Sequence, residues 1–387
     1  MRSHLIAQRK ALMLLAAGVA LTVALSISVA AQQGKTVPRS IPRSVSYLEM
    51  AKIELDGDPK INRLNVDSRG DFYVVTHTGR GLSLLNKFSL SGRHLLTVDL
   101  TRIFKTDQVG IHDLFIARDN TLYLLVVWLT QVEENPSPGV VVKTFPSSGV
   151  VVFDTNGNFQ RLIKIAPILF FHGRQRLVVD SRGAFYISGL HVRGRNPRAP
   201  LVTNNTIHKF SPSGELVTSF SPLTETFTRE RCTGSKEYQA LLIDSQDHIH
   251  HIYLDGTEIR TYRTDGRLLR NYRIEYPSRP RPLEKPGMPI LDFTRGILGS
   301  FIWNDYILLS VTEAYSTTGG IGLGSADFYS LIIDPFENSR TVVDVEPGTI
   351  PPITLGRDGY CYAFSHHHDP QSGVASYVIS KEALMGN

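Results

Sequence analysis

The stretch LNVDSRGDFYV at residues 64–74 recurs almost unchanged as LVVDSRGAFYI at residues 177–187. Each copy alternates apolar and polar residues, turns at Ser-Arg-Gly and alternates again, which is typical of two strands joined by a tight turn. Weaker copies are LFIARDNTLYLL (114–125), LLIDSQDHIHHI (241–252), SFIWNDYILLSV (300–311) and ITLGRDGYCYAF (353–364). The 387-residue chain therefore contains six copies of one structural unit.

A second turn follows each of the first four copies and contains Gly after Ser, Asn or Asp. These turns are LSGR (90–93), TNGN (155–158), PSGE (212–215) and TDGR (264–267). Gly in this context supplies the positive φ that a tight hairpin turn needs. Each unit is thus predicted to form four antiparallel strands, a to d, and such units bury both faces when they pack radially. We predict an all-β fold, a six-bladed β-propeller.

The two ends of the repeat region predict how the ring closes. The sixth unit has a strand c, ASYVISK (375–381), and lacks a strand d, whereas YLEMAKIEL (47–55) precedes the first unit as a spare strand. We expect this N-terminal strand to complete the last blade. The Val-Asp-x-x-Gly-x-Phe-Tyr-Val pattern resembles NHL-type repeats, and residues 46–381 resemble the six-bladed propellers of exported bacterial proteins. That resemblance implies a fold and no particular activity.

The N-terminus predicts export. Residues 1–10 carry Arg2, Arg9 and Lys10 with no acid, and an uncharged, mostly apolar run follows over residues 11–31. This is the layout of a secretory signal peptide, and the run is also long enough to remain as a membrane anchor. We divide the chain into a signal peptide or N-terminal anchor (1–31), a linker (32–45) and one propeller (46–387). We expect a monomer that is periplasmic or secreted and contacts a membrane only through an uncleaved N-terminal segment.

The composition excludes several classes of protein. With 42% hydrophobic and 20% charged residues, the chain is too apolar to be disordered. Two cysteines, Cys232 and Cys361, are too few for a disulfide scaffold, and the sequence leaves open whether they pair. Three of the five net positive charges belong to the export segment. The basic loops RGRNPR (193–198) and RPRP (279–282) have no interleaved aromatic residues, so we expect no nucleic-acid partner.

The units differ in length in their b–c and d–a connections, which leave a propeller blade on the same face. The long segments are LTQVEENPSPG (129–139), VRGRNPRAPLVTNN (192–205), TETFTRERCTGSKEY (224–238), EYPSRPRPLEKPGMP (275–289) and YSTTGGIGLGSAD (315–327). Long loops on a rigid scaffold often carry function. We call this side of the molecule the long-loop face and expect binding there.

Polar residues recur where strand a begins and strand b ends, at the mouth of the central channel on this face. Asn62, His112, Gln175 and Gln239 each precede the turn residue of their unit by eight positions. The predicted ligand-binding residues are Asn62, His77, Arg80, His112, Gln175, His191, Gln239, Glu313 and His366. The sequence therefore favours a recognition module for a protein, a glycan or a small polar ligand over an enzyme, and it leaves open whether any catalysis occurs.

The alternative is a metal-dependent hydrolase, lactonase-like, or a lyase with its site at the same mouth. Imidazole and carboxylate are common ligands of transition metals, so a divalent metal would be held by residues drawn from Asp113, Glu313, His366 and His368. Propellers of the gluconolactonase and regucalcin type hold their metal with acidic and Asn residues. The polar ring here is built of amides and imidazoles instead, and this departure weighs against the lactonase hypothesis.

Overall fold

A computed structural model describes most of the chain from residue 48 onwards. The described residues are 48–55, 60–77, 83–106, 108–134, 141–166, 168–170, 176–193, 200–223, 239–253, 258–277, 290–317, 323–337, 339–344, 353–368 and 375–382. The predicted export segment and linker lie outside them. Within these ranges, no helix has both the length and the apolar character needed to cross a membrane.

The described strands fall into six antiparallel sheets. Sheet 1 contains β2 (Lys60–Val66), β3 (Phe72–His77), β4 (Ser83–Phe88) and β5 (His94–Asp99). Sheet 2 contains β6 (Val109–Ile116), β7 (Leu122–Glu134), β8 (Val141–Phe153) and β9 (Phe159–Lys164). Sheet 3 contains β10 (Ile168–Phe170), β11 (Leu177–Val179), β12 (Phe185–His191), β13 (Asn205–Phe210) and β14 (Leu216–Pro222). A short helix, α1 (Thr101–Phe104), joins the first two sheets.

The remaining strands build the other three sheets. Sheet 4 contains β15 (Ala240–Ile243), β16 (Ile249–Ile252), β17 (Glu258–Tyr262) and β18 (Leu268–Arg273). Sheet 5 contains β19 (Ile290–Trp303), β20 (Tyr306–Thr317), β21 (Leu323–Asp334) and β22 (Ser339–Asp344). Sheet 6 contains β23 (Thr354–Leu355), β24 (Cys361–His368), β25 (Ala375–Glu382) and β1 (Leu48–Leu55).

The sheets follow one another around a ring. Strand a of each sheet contacts strand a of the next, in the order β2, β6, β11, β15, β19, β23 and back to β2. Apolar side chains fill the seams, as where Val178 and Tyr186 of sheet 3 share a buried cluster with Leu241 and Tyr262 of sheet 4. The prediction of an all-β propeller with four-stranded antiparallel blades is confirmed.

The N-terminal strand completes the last sheet, as the spare strand in the sequence predicted. β1 pairs antiparallel with β25 from Leu48 opposite Lys381 to Leu55 opposite Ala375. Ile53 is fully buried and packs in a cluster that also holds Tyr362 of sheet 6 and Phe72 of sheet 1. The first and last strands of the repeat region are therefore held in one hydrogen-bonded sheet.

The repeated Asp of the a–b turn explains why this motif is so similar between copies. Asp67 Oδ1 accepts the backbone N–H groups of Arg69 (2.9 Å) and Asp71 (3.0 Å), and the Tyr73 hydroxyl donates to Asp67 Oδ2 (3.3 Å). Asp180 makes the same bonds in sheet 3, including one from the Tyr186 hydroxyl. A buried carboxylate is stable here because each oxygen has donors.

The a–b turns also bind neighbouring sheets to each other. Ser68 of sheet 1 donates its N–H to Asn120 Oδ1 of sheet 2 (3.1 Å), and Ser245 of sheet 4 donates to Asp305 Oδ1 of sheet 5 (3.0 Å). Ser181 and Asp247 form the same pair between sheets 3 and 4. Asn and Asp tolerate the left-handed conformation better than most residues, and Asn120, Asp247 and Asp305 all have positive φ.

Glycines of the c–d turns let sheets 2, 3 and 4 dock on the sheets before them. A Cβ on Gly214 of sheet 3 would lie 2.5 Å from Ile163 Cγ2 and 2.9 Å from the Lys164 carbonyl oxygen, both in sheet 2. Gly157 and Gly266 meet Leu96 and Phe220 of the preceding sheets in the same way. These glycines are thus needed for close approach as well as for their positive φ.

We expect Gly214→Ala to destabilise the protein more than Gly359→Ala. Both glycines have positive φ, so both substitutions carry a conformational cost of about 1–2 kcal/mol. Only Gly214 adds overpacking, about 1–3 kcal/mol more, because no heavy atom of the described structure lies within 4 Å of a Cβ on Gly359. Equilibrium unfolding in urea compares the two, and equal losses would contradict this account of the seam.

Removal of β1 should open sheet 6. A chain that begins at residue 58 loses the strand that pairs with β25 and exposes the apolar surface that Ile53 covers. We expect its thermal transition to fall sharply or to lose cooperativity, as followed by circular dichroism. A chain that begins at residue 46 keeps β1 and is the matched control. An unchanged cooperative melt in the shorter chain would refute the closure.

Candidate functional site

Two of the long connections on the long-loop face are extended hairpins. β7 ends only at Glu134, and β8 begins at Val141. Residues 129–134, which were predicted to form a loop, are therefore part of a strand. β20 and β21 do the same around residues 318–322. Antiparallel pairing continues along both hairpins. These two connections therefore contain more regular β-structure than the sequence predicted. The longest parts of the other three segments, 194–199, 224–238 and 278–289, lie outside the described residues.

The opposite end of the channel is bridged by two arginines from the a–b turns. Arg118 of sheet 2 donates to the Ser245 carbonyl of sheet 4 (2.7 Å), and Arg357 of sheet 6 donates to the Ile116 carbonyl of sheet 2 (2.7 Å). Sheets 2 and 4 are not neighbours in the ring, and neither are sheets 6 and 2. Each side chain therefore connects two sheets that are not adjacent in the ring.

Most of the predicted mouth residues belong to described strands or directly flank them. Asn62 and His112 each occupy a β-bulge in strand a, opposite an uninterrupted strand b. The same break in the ladder thus occurs at the equivalent position of two sheets. His366 and His368 belong to β24. Arg80 and Gln175 lie outside the described residues.

Asp113 joins three sheets at the mouth. Its Oδ1 accepts from Arg63 Nε of sheet 1 (3.2 Å), and its Oδ2 accepts the backbone N–H groups of Leu177 (2.8 Å) and Arg176 of sheet 3. Arg63 and Arg176 also donate to the His112 carbonyl, at 3.2 and 2.6 Å. The Asp113 carboxylate is 2% exposed and is fully engaged by these donors.

Glu313 is likewise committed within sheet 5. Its Oε1 accepts from Arg295 Nε (2.8 Å) and from the Tyr329 hydroxyl (2.9 Å). The Arg295 guanidinium also lies 4.1 Å from the centre of the Tyr276 ring, which stabilises the cation further. The two carboxylates predicted as metal ligands thus form ion pairs at separate points of the ring.

No group of three His, Cys, Asp or Glu residues in the described part of the chain is placed to hold a metal ion. Two of the four predicted ligands, Asp113 and Glu313, each face a guanidinium at hydrogen-bond distance, so a metal would compete with these ion pairs.

Two histidines of the mouth are neutral near neutral pH. The His77 ring contacts the Ser83 hydroxyl at 2.6 Å, and burial together with the charge of Arg63 lowers its pKa. Burial also lowers the pKa of His191, whose ring packs edge-on against His208 at 5.7 Å between centroids. Neutral imidazoles can both donate and accept, which suits them to polar recognition.

Gln239 takes part in a buried polar cluster at the seam between sheets 3 and 4. Its Oε1 contacts His251 Nε2 (3.0 Å), and His251 Nδ1 contacts the Ser221 hydroxyl (3.1 Å). The Ser221 hydroxyl contacts the Tyr253 hydroxyl (2.5 Å), which accepts from Arg260 Nη1 (3.0 Å). We call these five residues the seam relay.

Ser221 and His251 form a hydroxyl–imidazole pair like that of a serine nucleophile, and Ser221 has positive φ. Ser221 is nevertheless buried, and its Oγ is engaged by Tyr253 as well as by His251. Both contacts of Ser221 join strands of sheets 3 and 4, so this arrangement stabilises the seam.

Sequence reasoning missed several residues of the mouth. Arg63 and Arg176 share the position of the predicted residue Asp113, seven residues before the turn residue of their unit, so the same register could have found them. Ser221, Tyr253 and Arg260 carried no comparable signal, because their contacts join strands of two different sheets.

Comparisons with known proteins support the fold. No family model and no curated protein matches the chain. A Dyadobacter fermentans protein of unknown function matches with a TM-score of 0.50 at 10% identity, over 88% of this chain and 100% of that one. Virginiamycin B lyase from Staphylococcus aureus matches with a TM-score of 0.42 at 10% identity, over 86% and 98%. A Bacteroides caccae protein of unknown function gives 0.42 at 9%, over 73% and 81%. Similarity at these identities concerns architecture alone.

Two buried histidines should make stability fall in acid. Burial lowers the pKa of His251 to about 3 and that of His208 to about 4, from 6.5. Below pH 6.5 the unfolded chain binds protons that the folded protein does not, so stability is lost as pH falls from 6.5 towards 4. At pH 5 each imidazole accounts for about 2 kcal/mol of that loss.

Urea unfolding at pH 7, 6 and 5 measures this slope. His251→Gln removes one of the two titrating groups, so the fall in stability between pH 7 and 5 should become shallower. The same substitution at the exposed His94 is the matched control. An identical slope in His251→Gln and the wild-type protein would contradict the assignment.

Proposed function

We propose that this protein is an exported recognition module that binds a small polar ligand or a glycan at the channel mouth of its long-loop face. One observation carries the proposal. The described residues contain four buried side-chain polar atoms without a hydrogen-bond partner, and two of them, His191 Nδ1 and Gln239 Nε2, belong to predicted mouth residues. Buried polar groups are nearly always paired in folded proteins, so unpaired ones at a mouth are suited to a ligand.

The shape of the channel supports the same site. Arg118 and Arg357 bridge the end opposite the long-loop face, so a ligand has one open side from which to enter. The mouth residues come from strands a and b of several sheets, which are rigid supports for a binding site.

We further propose that the six sheets are the six blades of one closed, monomeric, NHL-like ring. The successive contacts between first strands and the pairing of β1 with β25 support this count. Export through residues 1–31 belongs to the same proposal, because the cationic start and apolar run have the layout of a signal peptide.

The engaged carboxylates favour binding over the alternative, a metal-dependent hydrolase or lyase. Asp113 binds two backbone N–H groups and a guanidinium, and Glu313 binds a guanidinium and a phenol. A metal bound by them would leave Arg63 and Arg295 without their counter-charges, which is unfavourable for partly buried cations.

A thermal-shift screen of small polar molecules and short glycans tests the proposal. We select a ligand that raises the melting temperature of the wild-type protein. We expect it to bind the His191→Phe variant at least tenfold more weakly, because the larger apolar ring removes the polar atom and narrows the mouth. His94→Phe, on the exposed face of β5, is the control. Hits that bind both variants equally would place binding elsewhere.

Elemental analysis of the purified protein tests the alternative. Stoichiometric metal that is lost in Glu313→Gln would favour the metal-dependent enzyme and overturn the assignment of Glu313 to an ion pair. The binding proposal expects no change in metal content between this variant and the wild-type protein.

A further inference from the structure

The seam relay assigns a hydrogen-bonding direction to each of its members. Arg260 has only donors, so Tyr253 Oη must accept from it (3.0 Å). At the other end, Gln239 Oε1 has only lone pairs, so His251 Nε2 must donate to it (3.0 Å). The two ends together leave one consistent arrangement for the residues between them.

A neutral imidazole carries a single N–H, and burial keeps the His251 ring neutral by lowering its pKa to about 3. Because its Nε2 donates to Gln239, its Nδ1 is the acceptor, and the Ser221 hydroxyl donates to it (3.1 Å). Ser221 Oγ then accepts from the Tyr253 hydroxyl (2.5 Å). Each hydrogen bond therefore points from Arg260 towards Gln239.

The relay also runs inwards through the blade. Arg260 lies in β17, the third strand of sheet 4, and His251 lies in β16, the second strand. Gln239 directly precedes β15, the first strand, which contacts the first strands of both neighbouring sheets. The last member of the relay thus stands at the rim of the channel, at the same position in the repeat as Asn62 and His112.

This arrangement leaves Gln239 with a fixed donor and nothing to donate to. His251 binds the amide oxygen, which leaves the amide nitrogen outside this hydrogen bond. Gln239 is 1% exposed, and among the described residues its Nε2 has no hydrogen-bond partner. A buried donor of this kind lowers the stability of the free protein and is satisfied when an acceptor oxygen arrives.

The charge of the mouth narrows the kind of acceptor. Arg63 and Arg176 both donate to the His112 carbonyl, and Arg63 also pairs with Asp113. Guanidinium groups favour the binding of an anion. A carboxylate offers both the negative charge and the oxygen lone pairs that a fixed amide donor needs.

We propose that Gln239 Nε2 is the donor that binds a carboxylate oxygen of the ligand, and that the ligand is a small organic acid or an acidic sugar. This inference rests on the proposed function, since it names the ligand class of the same mouth. The seam relay fixes the position of the Gln239 amide. The mouth therefore selects ligands that carry a hydrogen-bond acceptor.

Nuclear magnetic resonance of the full ¹⁵N-labelled chain, in a buffer free of carboxylates, tests this directly. The side-chain amide signal of Gln239 is assigned by its absence in Gln239→Glu. The probes are acetate, succinate, citrate and D-glucuronate, with D-glucose as the neutral match for glucuronate. We expect at least one acid to shift the Gln239 signal saturably, and glucose to leave it in place.

Affinity in variants supplies the second measurement. Gln239→Glu replaces the donor by a carboxylate and should weaken binding of the acid at least tenfold. Gln160→Glu adds the same charge on the exposed strand β9 and should not. If Gln239→Glu fails to fold, Gln239→Met removes the donor without adding charge and serves both for assignment and for affinity.

The outcomes separate this inference from the proposed function. A Gln239 signal that none of the acids moves, or an acid that binds Gln239→Met as tightly as the wild-type protein, would overturn the assignment of the donor. If a neutral glycan binds at the mouth meanwhile and is lost in His191→Phe, the recognition function stands without it. If no molecule of either screen binds at the mouth, both fail.

Discussion

The docking of each sheet on the one before it is the contact on which the ring depends. A strand d side chain such as Ile163 or Phe220 enters the space that a turn glycine leaves open in the next sheet. On the inner side, the Ser68–Asn120 pair and its equivalents repeat the same connection between a–b turns. Both contacts use turn residues. The short motifs that form the hairpins therefore also set the distance between neighbouring sheets. The ring is thus encoded in its turns more than in the apolar strands, many of which could pack in a sandwich.

The fold could be read from the sequence because its signals are local and repeated. Gly70, Gly183 and Gly359 mark turns that only a positive φ permits, and Asp67 and Asp180 lie at fixed spacing from them. The spare strand over 47–55 predicted the pairing of β1 with β25, because an unpaired edge needs a partner. The site was harder to predict. The register of strand a located Asn62 and His112 at bulges, yet the partners of Asp113 come from sheets 1 and 3. Contacts between distant segments leave no periodic trace, and so Ser221, Tyr253 and Arg260 of the seam relay had no signal in the sequence.

The mouth combines structural and recognition roles in neighbouring residues. Asp113 and Glu313 looked like metal ligands because carboxylates at a channel mouth often are, but they stabilise the ring by pairing with arginines. Two other predicted mouth residues, Gln239 and His191, keep polar atoms without partners in the described structure. Engaged and unpaired polar groups thus belong to different residues of the predicted mouth. The engaged carboxylates hold the first strands in place, and a site built on fixed strands needs little reordering when a ligand binds.

The pairing of β1 with β25 also has a consequence for how the chain folds. The two strands are separated by more than 300 residues, so their contact closes the longest loop in the molecule. Each sheet from 1 to 5 is made of consecutive strands and can form as the chain emerges, whereas sheet 6 must wait for a strand at the far end. We expect ring closure to be the slow, last step of folding, because contacts of large sequence separation form slowly. If a chain with this topology crosses a membrane unfolded, its ring can close only after both β1 and β25 have crossed.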